Sequence, residues 1–351
     1  MRHVSVDAAS GRYEVVVGEG ARHGLAALLA ARLPTCQAAA IVTQQRIVDE
    51  GWLEGLDPGV DASLHVIDEG ESAKSLATVE RLCAELVSEG VSRRDVVVGF
   101  GGGVVTDVAG LVASVHLRGV ALVQLPSTLL GQVDAAIGGK NGVNLREGKN
   151  LVGTFHQPIG VLCDTAVLAT LPAREWACGN GEIAKYALLT GGDPVSLATA
   201  PLDEKIARCV EIKADYVGSD ERESGRRALL NYGHTLAHAL ETAQAGTSGA
   251  DLRHGEAVAI GLAFAARLAA RLARIDGARV RQHDAVLDVF GLGGELPANS
   301  SASTIVELMR SDKKAHHSLA FVLDGPSGFE LVEDVAEHEV LATLRAMGAG
   351  S

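Results

Sequence analysis

Short runs rich in Val, Ile and Ala recur over the first 125 residues, at Tyr13 to Val17, Ala38 to Thr43, Leu64 to Ile67, Asp95 to Phe100 and Ala121 to Leu125. Amphipathic helical periodicity separates several of them, as over Leu76 to Glu89. Strands alternating with helices predict a mainly parallel sheet covered on both faces. After about residue 165 the pattern turns to alanine- and leucine-rich helical periodicity, with one short extended piece near Leu319 to Leu323. The expected fold class is α/β. A Rossmann-like nucleotide-binding domain spans 1–165, and a mostly α-helical domain follows over 166–351. Ala245 to Gly249 and Gly291 to Ser303 read as loops, and no internal repeat is visible. Ligands of open α/β sheets sit at the carboxyl ends of the strands, which here places a ligand near the interdomain cleft.

The length of 351 residues exceeds one compact core and agrees with two domains. With 47% hydrophobic and only 3% aromatic residues, the packing must be small and aliphatic. A net charge of −13, from 31 basic and 44 acidic residues, argues against nucleic acid or an anionic membrane as partner. An anionic substrate would need basic residues gathered locally. The five cysteines are scattered and lack CxxC spacing, so they signal neither a disulfide framework nor a thiolate zinc site. The opening MRHVSVDAAS has no signal-peptide pattern, and no segment approaches about eighteen apolar residues. A soluble cytoplasmic chain is expected.

Candidate chemistry concentrates between Asp95 and Pro158, where a strand, a triple-glycine turn, a helix and a second strand lead into a polar, glycine-rich tract with Asp134, Lys140, Lys149 and Asn150. Measured against GxGxxG, Gly99 and Gly101 fit, but Val104 stands where the third glycine belongs. What remains is Gly101 to Gly103 before a helix whose start carries Thr106 and Asp107. Free backbone N–H groups and the positive helix end would favour a pyrophosphate there, and a plain tight turn is the alternative. Earlier, Glu69-Gly70-Glu71-Ser72-Ala73-Lys74 follows a strand end, where a carboxylate and a lysine three residues apart suit ribose hydroxyls or an ordinary solvated helix start.

A second constellation lies in ESGRRALLNYGHTLAHALE. Read as one helix, Arg227, Asn231, His234 and His238 fall at i, i+4, i+7 and i+11, on a single stripe among leucines. Burying such a stripe is costly unless it binds something. His234 and His238 have the spacing of the HExxH helix but lack its glutamate, so the peptidase reading loses its general base. Arg253-His254-Gly255-Glu256 opens another apolar helix, and Gly181-Glu182-Ile183-Ala184-Lys185 offers an acid and a base one turn apart. Two histidines and a carboxylate on separate helices would suit a catalytic zinc. Spacing alone leaves them open to structural roles.

The ordered segments GESAK, GGGVVTDVAG, LRG, LPSTLLGQVDAAIGGKNGVN, GKNLVGTFHQP, GEIAKY, LLNYGHTLAHALE, RHGEAVAIGL and SDKK resemble those of the 3-dehydroquinate synthase family of sugar phosphate cyclases, from about residue 10 to 325. The resemblance implies NAD, held by Glu69, Gly70, Glu71, Lys74, Gly102, Gly103, Val104, Val105, Thr106, Asp107, Ser127, Thr128, Asp134, Lys140, Lys149, Val167, Leu168 and Thr170. It implies a divalent metal, zinc or alternatively cobalt, on Glu182, His234 and His254. It matches Arg118, Asp134, Lys140, Asn150, Lys185, Lys213, Arg227, Asn231, His238, Lys313 and Lys314 to a substrate pocket. Lys213 and Arg227 would hold the substrate carboxylate. Lys140, Asn150, Asn231, Arg118 and one of Lys313 or Lys314 would hold the phosphate. The arginine matching Arg118 reaches into the neighbouring subunit's site, which implies a homodimer.

The activity so implied converts 3-deoxy-D-arabino-heptulosonate 7-phosphate to 3-dehydroquinate and phosphate in the shikimate pathway. Transient oxidation at C5, phosphate elimination, re-reduction and an internal aldol closure leave no net redox change, with His238 a candidate proton shuttle. Four places depart from the family pattern. Asn141 and Ser127 stand where threonine is usual, Asn180-Gly181 where Met-Ala is frequent, and Ala237 where glycine is common. Two alternatives stay open: a sister cyclase, above all amino-dehydroquinate synthase, and an NAD- and metal-dependent polyol dehydrogenase, which would release NADH.

Overall fold

The computed structural model describes residues 1–191, 193–244, 252–312 and 318–350. The apolar runs become β1 (Arg2–Ala8), β2 (Gly11–Gly18), β3 (Ala38–Gln44), β4 (Asp61–Ile67), β5 (Val96–Gly101) and β6 (Ala121–Pro126). The polar tract folds into an antiparallel hairpin of β7 (Lys140–Leu145) and β8 (Gly148–Phe155), and β9 (Gly160–Asp164) returns to the sheet. The seven-stranded order is β1-β2-β9-β6-β5-β3-β4, parallel throughout except for β1 against β2. All six residues of β5 are buried, as a strand covered on both faces requires.

Side chains alternate between the two faces. Ala40, Val42 and Val97 join one apolar cluster with α3 (Leu76–Ser88) and α4 (Gly103–Val115), through Leu82, Leu86, Val108 and Val112. Ala39, Ile41, Val96 and Val98 join a second cluster with α1 (Leu25–Arg32) and α2 (Gln45–Asp49), through Leu25, Leu29 and Ile47. The Ser75 side chain starts α3 by accepting a hydrogen bond from the Thr78 N–H. From β3 the chain winds to β4 on one side and to β5, β6 and β9 on the other. The carboxyl ends of β3 and β5 are therefore where the winding reverses, the usual ligand position in such sheets. Thr43 Oγ1 donates to the Phe100 carbonyl at 2.7 Å and ties these two ends together.

The chain forms two units, one comprising 1–172 and 201–222, the other 173–200 and 223–351. This differs from a single division at 165. Helical periodicity does not say which layer a helix joins, and α7 (Leu202–Ser219) joins the sheet-bearing unit, where it packs along β1 and β2. The second unit holds α5 (Ala173–Thr190), α6 (Pro194–Thr199), α8 (His234–Gln244), α9 (His254–Arg271), α10 (Gly277–Val289), α11 (Ala302–Asp312) and α12 (Glu337–Ala346). It also holds a short hairpin of β10 (Phe321–Leu323) and β11 (Glu330–Val332). Helix α9 is buried along nearly its whole length, from Gly255 to Ala269. Among the described residues, no helix is long and apolar enough to cross a membrane.

The stretch 226–244 is not one helix. A 3-10 segment runs from Arg226 to Asn231, and α8 starts afresh at His234. Between them Gly233 has φ +82° and lies against the backbone of α9, where a Cβ would stand 2.9 Å from the Leu262 nitrogen and 3.1 Å from the Val258 carbonyl oxygen. Only glycine fits this approach and this left-handed backbone. Arg227 and Asn231 therefore do not share a helical stripe with His234 and His238.

Candidate active site

In the sheet-bearing unit, β5 ends at Gly101 and α4 begins at Gly103, with Gly102 as its N-cap. The first N–H of this turn to find an acceptor inside it is that of Thr106, on the Gly102 carbonyl. Those preceding it are the orphan donors of a helix start. A Cβ on Gly103 would meet the Ala135 Cβ at 3.9 Å, an ordinary contact, whereas one on Gly102 would stand 3.0 Å from the Thr128 Cγ2. Ser127 is buried beside it and donates its N–H to the Gly101 carbonyl, while Thr128 Oγ1 caps Gly131. The side chains of Val105, Val167 and Leu168 are buried. Val104 is half-buried, packed against the α3–α4 cluster.

Beyond β4, Glu71 begins a short 3-10 turn, and the buried Lys74 ends it. Lys74 Nζ reaches Asp107 Oδ2 and Asn150 Oδ1, both at 2.6 Å. Burial pulls the Lys74 ammonium down, but Asp107 and Glu71 override it and hold the lysine charged above its ordinary value. Asn144 links the group: its amide donates to Glu71 Oε1, and its Oδ1 accepts from the Asn150 N–H, both at 2.8 Å. Asn144 escaped the sequence reading. Its only signal there was membership of a polar tract.

Glu69 lies nearby, exposed, with Oε1 3.3 Å from the Arg46 N–H, and Gly70 precedes the 3-10 turn with φ +83°. Thr170 is exposed and bonded to Glu50 and Trp52. Lys140 and Lys149 are exposed on the hairpin. Lys213, from α7, is buried and holds Asp134 twice, through the carbonyl at 2.7 Å and Oδ1 at 2.8 Å. Arg118 is exposed at a kink where Leu117 (φ +50°) and Arg118 (φ +68°) both adopt left-handed backbone. Asn141 is buried and donates to the Gly139 and His156 carbonyls, a role within the hairpin.

In the helical unit three helices deliver Glu182, His234 and His254 to one point. Their ligating atoms all lie within 4.8 Å of one another. Glu182 is fully buried, with Oε1 3.4 Å from His234 Nε2 and 3.3 Å from His254 Nε2. Its other oxygen is in contact with the Lys185 ammonium one helical turn on. Helices α5 and α9 touch backbone to backbone here. A Cβ on Gly255 would lie 1.8 Å from the Cys178 carbonyl oxygen, and one on Gly181 2.3 Å from that of Gly255.

Burial pushes the Glu182 carboxyl up, yet Lys185 and the histidines hold it well below the usual carboxylate range. Burial and the Lys185 charge push His234 below its ordinary value. Burial acts the same way on His254, but Glu182 and Glu241 outweigh it and raise that imidazole to about 10. His238 stands edge-on to His234, ring centroids 5.7 Å apart. Arg227 is buried, and Asn231 donates to Glu223 Oε1 at 2.8 Å. Glu223 carries left-handed backbone (φ +59°) and was missed by pattern reasoning, since it sits in an acidic run without periodicity. Lys313 and Lys314 lie outside the described residues, as does the expected loop Ala245 to Gly249.

Both sites fit the groups the resemblance implies. A buried carboxylate whose oxygens accept, among the described residues, no hydrogen bond of good geometry, facing two imidazole Nε2 atoms, is a donor set suited to zinc. The Lys185 ammonium lies against this carboxylate, and a divalent cation would supply further positive charge there. The glycine turn at the winding reversal suits a pyrophosphate.

Comparison with known proteins agrees. The family model for the 3-dehydroquinate synthase N-terminal domain matches residues 64–178, and that for the C-terminal domain matches 179–315. The chain belongs to the 3-dehydroquinate synthase family. Within it, the chain is 48% identical to a putative aminodehydroquinate synthase of Amycolatopsis mediterranei, over 98% of this chain and 94% of that protein. It is 42% identical to a 3-dehydroquinate synthase of Nitrobacter hamburgensis, over 98% and 95%. Among solved structures it resembles 2-epi-5-epi-valiolone synthase from Streptomyces hygroscopicus subsp. jinggangensis with NAD+ and Zn2+ bound, at 30% identity and TM-score 0.81, covering 95% of this chain and 96% of that one.

Proposed function

We propose that this chain is a 3-dehydroquinate synthase, a phosphate-eliminating lyase that converts 3-deoxy-D-arabino-heptulosonate 7-phosphate to 3-dehydroquinate. The observation that carries this reading is the full-length likeness, at 42% identity, to proteins of that activity, because it spans both the glycine turn and the Glu182, His234 and His254 cluster. When bound, NAD+ takes and returns one hydride, and a divalent cation, zinc or cobalt, polarises the substrate oxygens.

The chain's own residues bind and orient. Gly102 and Gly103 admit the cofactor pyrophosphate to the α4 N-terminus. Lys74, fixed by Asp107 and Asn150, and Glu71, held by Asn144, shape the wall beside it. Glu182, His234 and His254 hold the cation. Arg227 and Asn231 offer the substrate a guanidinium and an amide, suited to anionic oxygen. His238, whose ring lies beside those of His234 and His254, is the group assigned to move a proton. In the same reading two copies pair, each supplying Arg118 to the other, and the protein works in the cytoplasm, where its five cysteines stay reduced.

The 48% likeness to a putative aminodehydroquinate synthase favours one second reading, an aminated substrate. The test is inorganic phosphate release from 3-deoxy-D-arabino-heptulosonate 7-phosphate with NAD+ and Zn2+, followed together with NADH absorbance. Phosphate without net NADH supports the proposal. Release from the aminated analogue alone moves the assignment to the sister cyclase. NADH accumulating on simple polyols would overturn the cyclase reading.

A further inference from the structure

Each histidine of the cluster has two ring nitrogens, and something must decide which one faces the shared point. For His234 it is the backbone. Nδ1 lies 3.1 Å from the Tyr232 carbonyl oxygen, an atom that only accepts, so Nδ1 carries the proton and the Nε2 lone pair turns toward Glu182. The left-handed Gly233 sits between them and sets that carbonyl against α8. His254 opens α9, and among the described residues no backbone carbonyl faces its Nδ1. Its Nδ1 instead faces Glu241 Oε2 at 3.4 Å, while its Nε2 faces Glu182 at 3.3 Å.

We propose that Glu241 is a positioning residue of the metal centre, a carboxylate that holds His254 by Nδ1 so that Nε2 is offered to the cation. This rests on the reading of Glu182, His234 and His254 as metal ligands. Glu241 lies on α8 seven residues beyond His234, two turns along the same helix face, and its side chain is only 10% exposed. A buried carboxylate is costly unless a group of opposite polarity meets it, and the His254 N–H is such a group. The contact runs from α8 to α9, so it fixes the ring and also the spacing of two of the three ligand-bearing helices. An ionised carboxylate only accepts, which removes the ambiguity of the tautomer and makes the ring nitrogen at the cation more basic.

The test uses the full-length protein. Zinc affinity is measured by chelator competition, the visible spectrum is recorded with cobalt in place of zinc, and melting is followed with the chelator present. Glu241→Ala is expected to weaken zinc binding by about 10- to 100-fold and to shift the cobalt bands. Glu241→Gln, whose amide oxygen still accepts from Nδ1, is expected to recover part of that loss. At saturating zinc, KM for the sugar phosphate should stay within about twofold of the parent protein, because Glu241 is assigned to the metal. Unchanged zinc affinity and cobalt spectrum in Glu241→Ala would overturn the inference. So would a drop in melting temperature with no change in zinc affinity, which marks a merely structural residue. His254→Ala separates the two levels. Retention of zinc affinity there sinks the ligand reading itself, whereas loss there combined with full affinity in Glu241→Ala sinks only the role of Glu241.

Discussion

The glycine turn after β5 and the three-helix cluster of the helical unit are both places for a charged ligand, and they are built in opposite ways. The turn is made of backbone: orphan N–H groups at a helix start, exposed by residues that lack a Cβ. The cluster is made of ionised side chains, carried by α5, α8 and α9 and buried together. A backbone site is local, so it tolerates change in its surroundings and fails when a Cβ intrudes. A side-chain site inherits every error in the packing of its helices. The expected effects of mutation differ in kind, in fold stability for the cluster and in ligand affinity alone for the turn.

The largest effect should come from Glu182→Gln. It leaves the Lys185 ammonium buried without its carboxylate, which costs about 3–5 kcal/mol of folding stability in a denaturant titration. Chelator competition should show zinc binding lost in the same variant. A Glu182→Gln protein as stable as the parent would show that the cluster is not held by its charges, and the contrast with the turn would collapse. Next comes Gly255→Ala, which touches no ligand atom. Its Cβ would stand 1.8 Å from the Cys178 carbonyl oxygen, so α5 and α9 must part, at about 1–3 kcal/mol. Zinc affinity should fall with it, since Glu182 and His254 ride on those helices. Stability lost with zinc affinity intact would mean that the ligands adjust independently of the helix contact.

The same difference explains what was legible in the sequence. The β5, glycine and α4 succession could be read because strand, turn and helix are neighbours in the chain, and each leaves its own pattern. The ligand residues stood out by type, but their meeting depends on Gly181 against Gly255 and on Gly233 against α9, approaches that carry no periodic signal. That is why Arg227 and Asn231 were expected on the α8 stripe: nothing in the spacing of LLNYGHTL marks Gly233 as a break, whereas its packing against Leu262 and Val258 does. The strand β1 escaped for a simpler reason. It is an edge strand, half exposed, and its alternating RHVSVDA lacks the apolar run of the inner strands. Helix α7 was assigned to the wrong layer because amphipathicity says that a face is buried, never against what. Glu241 had no signal at all until His254, thirteen residues away, was found beside it.

Gly103→Ala sharpens the comparison from the other side. Its Cβ finds room, and alanine favours a helix start over glycine, so stability should hold or rise by about 0.5–1 kcal/mol. Yet the methyl enters the space through which a phosphate would approach, and NAD affinity by calorimetry should fall about tenfold, or about 1.4 kcal/mol. Unchanged NAD affinity would remove the turn from the cofactor site.

The smallest effect lies at the opposite end of β5, away from the glycine turn, and tests what a buried charge outside the three-helix cluster contributes to folding. Asp95 is such a charge. The buried carboxylate accepts from the N–H groups of Gln37 and Ala38 at 3.0 Å and from the N–H and hydroxyl of Ser92 at 2.7 Å. Burial pushes its carboxyl up, but these bonds prevail and hold it below the ordinary value. A group lowered in the folded state binds protons less readily than in the unfolded chain. Its contribution is therefore complete above the unfolded value near pH 4 and disappears as pH falls through the folded one. Asp95→Asn should cost about 1 kcal/mol at pH 7 and nothing further in acid, because the amide does not titrate. Melting curves of parent and variant between pH 7 and pH 3 should converge toward the acid end. Parallel curves would show that Asp95 contributes geometry alone.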